Sequence, residues 1–125
     1  MPDKVYRTAI YCRLSREDGD KVESNSIASQ RAICEDYIAR HDDLELVCEP
    51  FVDDGYSGVS FNRPQFKKLE EAIRKGALDC IVVKDLSRFS RNYIDGGRYI
   101  EKIFPQLGIR FIAINDAVSY THLRA

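Results

Sequence analysis

A chain of 125 residues, 44% hydrophobic and 31% charged, has the size and composition of one globular domain with its own core. Its 19 basic and 20 acidic side chains nearly cancel, so no global field draws it to nucleic acid, and any phosphate contact must come from a local cluster. No apolar run is long enough to span a membrane, and the polar first seven residues have no signal-peptide core behind them. Cys12, Cys34, Cys48 and Cys80 lack metal-ligand spacing and read as reduced thiols of a cytoplasmic protein.

Residues 8–13 alternate and are rich in strand formers, which predicts a first strand. Residues 15–25 are polar and form a connection longer than most, a length that often marks function. Ser26 is placed to cap a helix running to about residue 40, with Ile27, Ile33, Cys34, Tyr37 and Ile38 as its apolar positions. A second strand over 44–52 is interrupted by Pro50, which suggests an edge position or the strand's end. A second polar loop over 53–62 carries Gly55 and Gly58. Pro64 then opens a helix with Phe66, Leu69 and Ile73 on one face, and Gly76 ends it.

The unbroken apolar run 80–83 is typical of a central parallel strand. A third loop, 84–91, leads to a helix from about Tyr93. Ile94, Ile100 and Ile103 supply its apolar positions, Gly96 and Gly97 weaken it, and Pro105 ends or kinks it. A fourth strand covers 109–114, and residues 118–125 show no pattern. Strands alternating with helices predict an α/β domain: three layers, a largely parallel four- to five-stranded sheet, and helices on both faces, over residues 1–117.

Ligands of such sheets bind beyond the carboxyl ends of the strands, where the three polar loops would meet. Alternation puts Tyr11, Arg13 and Ser15 on one side of the first strand. Arg88 and Arg91 are three apart, so one helical turn would put them on one face. A guanidinium fork holds two phosphate oxygens at once, and fixed cations around a hydroxyl suit attack on a phosphodiester. Arginine is a poor base, and Asp85 is the nearest candidate carboxylate. Tyr11 reads equally as a packing ring, and His41 as a helix-end cap. Asp53 and Asp54 raise the alternative of a phosphoacceptor module, which would leave the arginine-rich third loop unexplained. A binder of a phosphorylated small molecule is another alternative, without a Gly-x-Gly-x-x-Gly or Walker pattern to support it. An interaction domain without activity is a third.

Four segments in order carry a resemblance: Tyr11-Cys12-Arg13-Leu14-Ser15; Asn25-Ser26-Ile27-Ala28-Ser29-Gln30; Asp54-Gly55-Tyr56-Ser57-Gly58 with Asn62-Arg63-Pro64; and Asp85-Leu86-Ser87-Arg88-Phe89-Ser90-Arg91. The chain resembles the catalytic domain of the serine recombinases of the resolvase/invertase type, most of all the large ones of mobile elements, from about residue 6 to 116. That resemblance implies a resolvase-like fold, with Ser15 attacking DNA to form a 5′-phosphoserine and Arg13, Arg88 and Arg91 holding the scissile phosphate. It implies supporting roles for Gln30, Ser57, Arg63 and Lys84, with Tyr11, Asp85 and Ser87 beside them. It also implies DNA as partner, dimers that assemble into a tetramer, and rejoining without ATP, metal or other cofactor. Small resolvases have Asp where this chain has Ser87; the large branch commonly has serine there, with an aspartate two residues earlier, as Asp85 stands here. Members continue into a long oligomerisation helix and DNA-binding domains, and the chain is expected to be a catalytic portion that stops where that helix begins.

Overall fold

The computed structural model describes residues 4–14, 26–116 and 118–120, so the predicted loop over 15–25, Ser15 included, and residues 121–125 lie outside the described residues. The first strand, β1 (Tyr6–Leu14), is the axis of the sheet. Its residues 8–13 are all buried, because it has neighbours on both edges and helices over both faces. Helix α1 (Ile27–Ala39) follows, and Ser26 caps it by accepting from the Ser29 N–H. The predicted second strand is two segments, β2 (Leu44–Leu46) and β3 (Phe51–Asp54), separated around Pro50. They run parallel to β1 one after the other, β2 beside residues 6–8 and β3 beside residues 11–14.

Helix α2 (Pro64–Arg74) begins on the proline, which has no N–H to leave unsatisfied, and Gly76 follows with φ 79°. Strand β4 (Cys80–Val83) matches the apolar run residue for residue. The chain then crosses to the other side of β1, where β4 pairs with residues 8–10. Strand β5 (Arg110–Ala113) pairs parallel with β4, and β6 (Val118–Tyr120) adds an antiparallel edge where the sequence shows no pattern. The order is β2-β1-β4-β5-β6, with β3 also on β1.

Alternation along the three inner strands builds two cores. Ala9, Tyr11, Ile81, Val83, Phe111 and Ala113 face Phe66, Leu69 and Ile73 of α2, together with Phe89, Ile100 and Phe104. Ile10, Cys12, Cys80, Val82 and Ile112 face Cys34 and Ile38 of α1. The three-layer expectation therefore holds. Burial pushes the Cys12 and Cys80 thiols up to about 12, which keeps them protonated, while Cys48 is exposed.

Two local expectations are corrected and a third is narrowed. The third loop contains a turn of helix, α3 (Leu86–Phe89). Ile94 is not an apolar contact of the next helix, α4 (Tyr93–Arg98): it is 83% exposed and Tyr93 is 92% exposed. Pro105 does not end that helix. A π-turn over Tyr99–Ile103 carries it into α5 (Phe104–Leu107), and Phe104 N–H donates to the Tyr99 carbonyl five residues back. The wider turn accommodates a proline that can neither donate nor tolerate a close carbonyl.

Candidate active site

The chain places β2 and β3 on one side of β1 and β4 on the other, so the crevice beyond the carboxyl ends of β1 and β4 is where the winding direction switches. The end of β1 is fixed from three directions there. Gln30, fully buried on α1, grips the Arg13 backbone twice: Arg13 N–H donates to Gln30 Oε1 at 3.2 Å, and Gln30 Nε2 donates to the Arg13 carbonyl at 3.0 Å. Arg88 Nη1 donates to the same carbonyl at 3.1 Å. From the third direction, Gly55 N–H donates to the Leu14 carbonyl at 2.6 Å. These bonds hold the backbone of Arg13 and Leu14, the two residues that lead into Ser15.

Arg13, Arg63 and Arg88 are 0%, 1% and 2% exposed and are the three largest fully buried side chains among the described residues. Burying a guanidinium is costly unless its N–H groups are satisfied. Arg13 donates to the carbonyls of Arg88 (3.3 Å), Tyr56 (3.0 Å) and Ser87. Arg88 adds Ser87 Oγ at 3.2 Å, and its Nε stands 3.5 Å from the Asp85 carboxylate. Asp85 also caps α3, accepting from Arg88 N–H and from the Ser87 hydroxyl, so the carboxylate considered for proton transfer holds this turn in shape. Asp116 closes the same turn from the end of β5, accepting from Leu86 N–H at 2.6 Å. Nothing in the sequence pattern marks that role.

Arg91 is exposed, and its N–H donates to the Gly58 carbonyl at 2.7 Å. Arg88 and Arg91 do not share a helical face: Ser90, between them, is extended, and Arg91 precedes α4. They approach the site by different routes. Gly58 lies between two of the arginines. A Cβ built on it would stand 2.7 Å from Arg13 Nη2 and 2.9 Å from Arg91 Cγ. Ser57, half-buried, accepts from Val59 N–H and shapes this turn. Lys84 is buried at the end of β4, where its carbonyl accepts from Asn115 N–H. Beside the arginines opens a cleft of about 660 Å³ lined by Ser87, Ser90, Arg91, Tyr93, Asn115 and Asp116.

Tyr11 and Arg63 lie beneath this surface as a brace. Arg63 donates to the carbonyls of Ser60 (2.7 Å) and Phe89 (2.8 Å) and to the Tyr11 hydroxyl (3.0 Å), and its guanidinium lies over the Phe61 ring. The Tyr11 hydroxyl donates to Asp53 at 2.8 Å. Burial raises its pKa, so it stays a donor. Asp53 in turn accepts from Gln65 and Phe66 N–H at the start of α2. This buried, fully engaged carboxylate closes Asp53 to a phosphoacceptor role, while Asp54 beside it is exposed. Among the described residues, no group of three or more His, Cys, Asp or Glu side chains could hold a metal ion, and no helix is long and apolar enough to cross a membrane.

The family described as Resolvase, N terminal domain matches residues 8–124. The catalytic domain of TP901-1 integrase superposes with a TM-score of 0.77 at 28% identity, covering 90% of this chain and 80% of that one. A resolvase family site-specific recombinase from Streptococcus pneumoniae gives 0.72 at 27% identity, over 93% and 76%. A Bacillus subtilis (strain 168) protein described as "Putative DNA recombinase" is 31% identical over 87 residues, which are 70% of this chain and 16% of that protein. The chain thus spans a small part of the length of that relative. A matched family over nearly every residue, with the same fold in solved members, shows that this chain belongs to the serine recombinases as a resolvase-type catalytic domain.

Proposed function

We propose that this domain cuts and rejoins DNA with Ser15 as the nucleophile. Ser15 Oγ attacks a backbone phosphorus, the Oγ–P bond forms as the P–O3′ bond breaks, and the departing oxygen takes up a proton as a 3′-hydroxyl. The product is a 5′-phosphoserine that keeps the ester bond, so a 3′-hydroxyl from a second site can reverse the step without ATP. Arg13, Arg88 and Arg91 supply positive charge to the non-bridging oxygens, on which charge grows in the transition state. Gln30, Ser57, Lys84, Asp85 and Ser87 hold the surrounding turns, and the pair Tyr11–Arg63 braces the floor. Exchange between two sites calls for four such domains, assembled from dimers.

The observation that carries this reading is the convergence of Arg13 and Arg88, with Arg91 reached through Gly58, at the end of the strand that leads into Ser15. Arg13 and Arg88 are buried and held by their hydrogen bonds, so they would act without reorganising. On cognate site DNA the protein is expected to form a covalent adduct that survives denaturation, and Ser15→Ala is expected to abolish it. An adduct that persists in Ser15→Ala would overturn the assignment.

A further inference from the structure

Gly58 belongs to the turn between β3 and α2 and donates no side chain to any chemistry. Gly55, Gly76 and Gly108 all have positive φ and open space where a Cβ would stand, so backbone conformation explains them. Gly58 is the reverse. Its φ lies outside the positive region, yet its Cβ position is occupied on two sides: 2.7 Å from Arg13 Nη2, 2.9 Å from Arg13 Cζ and 2.9 Å from Arg91 Cγ. An alanine at an ordinary φ normally restrains the unfolded chain and raises stability. Here it would meet two arginine side chains instead.

Neither side chain can step aside freely. The Arg13 guanidinium is fully buried and tied to the carbonyls of Arg88, Tyr56 and Ser87. Arg91 is touched near the base of its side chain, and its own N–H is held by the Gly58 carbonyl. One residue further along, Asn92 Nδ2 donates to the Val59 carbonyl at 3.3 Å. Carbonyls of Tyr56, Gly58 and Val59 therefore hold Arg13, Arg91 and Asn92 in turn.

We propose that Gly58 is a positioning residue: the bare backbone at this point is the spacer that sets the Arg13 guanidinium against the Arg91 side chain, and so fixes where two cations meet the phosphate. The inference rests on the proposed recombinase chemistry for its effect on rate, and on the contact alone for its effect on stability. A catalytic group displaced by about an ångström can cost on the order of 100-fold in rate. Gly58→Ala is accordingly expected to slow adduct formation about 100-fold while leaving DNA affinity unchanged. In an Arg91→Ala background, where the contact with Arg91 Cγ is gone, the same substitution is expected to slow it by a smaller factor. The melting temperature follows the same cycle. Gly58→Ala lowers it in the parent protein and lowers it less in the Arg91→Ala background.

The thermal cycle reads the contact with no reference to DNA, so it stands even where Gly58→Ala folds poorly or where no adduct forms. Loss of Ser15-dependent adduct formation would remove the proposed chemistry and leave the thermal coupling intact. Equal melting-temperature losses in both backgrounds, or a Gly58→Ala protein as fast as the parent, would overturn the role of Gly58.

Discussion

The two ends of the sheet use arginine in different proportions of carboxylate and carbonyl partners. At the amino ends of the strands, Arg7 forms a two-point pair with Asp79, and Arg110 meets Asp43 at 2.9 Å while lying over the Tyr6 ring. At the carboxyl ends, Arg13 and Arg63 hold their geometry mainly by donating to backbone carbonyls, and Arg88 donates to one as well while its Nε stands 3.5 Å from Asp85. A carboxylate cancels the charge it binds, whereas a carbonyl satisfies an N–H and leaves the formal charge in place. A chain with net charge −1 can thereby still gather Arg13, Arg63 and Arg88 at one end of its sheet. A global charge count is blind to this arrangement, because it does not register where along the sheet the basic residues gather.

The most direct way to break the comparison is to remove a carboxyl-end guanidinium. Arg88→Ala is expected to lower the rate of adduct formation by about 10²- to 10³-fold, in line with roughly 3 to 4 kcal/mol for one preorganised donor. Stopped single-turnover reactions on site DNA measure it. A loss below 10-fold would mean that this cation lies away from the developing charge.

Next in size is the response to anions. Because Arg13, Arg88 and Arg91 converge at this end of the sheet, sulfate should bind there and raise the melting temperature. At 100 times its dissociation constant the gain is about 2.7 kcal/mol. An Arg88→Met variant should lose most of that gain and start from a lower baseline than the parent, since removing one partner of a buried pair leaves Asp85 and the Arg13 carbonyl without it. Equal sulfate responses in the two proteins would place the anion site elsewhere.

How much of this was legible in the sequence depends on whether a feature was local. Ser26 as a cap, Pro64 as a first helical residue and residues 80–83 as a buried strand needed only neighbours in the chain, and all three stand as read. The turn α3 was not legible, because four residues carry no periodicity and part of its capping comes from Asp116, thirty residues away. Ile94 misled because an apolar residue at helical spacing does not say which face is covered. The site residues lie in motifs that could be picked out one by one. Their division of labour could not be read, since Tyr11, Arg63 and Asp53 join into a floor only once β1, β3 and α2 are packed.

Gln30 sharpens the comparison by separating geometry from charge. It carries no charge, yet it makes two hydrogen bonds with the Arg13 backbone in a fully buried setting. Gln30→Ala strands a buried N–H and is expected to cost about 1 to 3 kcal/mol in stability. Denaturant titration reads that loss. Adduct formation should slow with it, because the strand leading into Ser15 loses one of its three restraints. A stable Gln30→Ala protein with full activity would show that Arg88 and Gly55 suffice to hold the strand end.

The smallest effect belongs to the other end of the sheet. Arg7 is exposed, and its hydrogen bonds hold the Asp79 carboxyl below its ordinary 3.8. A carboxyl with a depressed folded pKa contributes stability above its unfolded value and loses it as pH falls through the folded one. Parent and Arg7→Ala proteins should therefore differ slightly in melting temperature near neutral pH and converge in acid. Added salt should narrow the neutral-pH gap, as it does for exposed pairs. Adduct formation should be indifferent to Arg7→Ala at every salt concentration. A cleavage defect there would mean that the charge at the amino ends of the strands takes part in the chemistry after all, and that sorting arginines by partner type does not separate the working end of this sheet from the structural one.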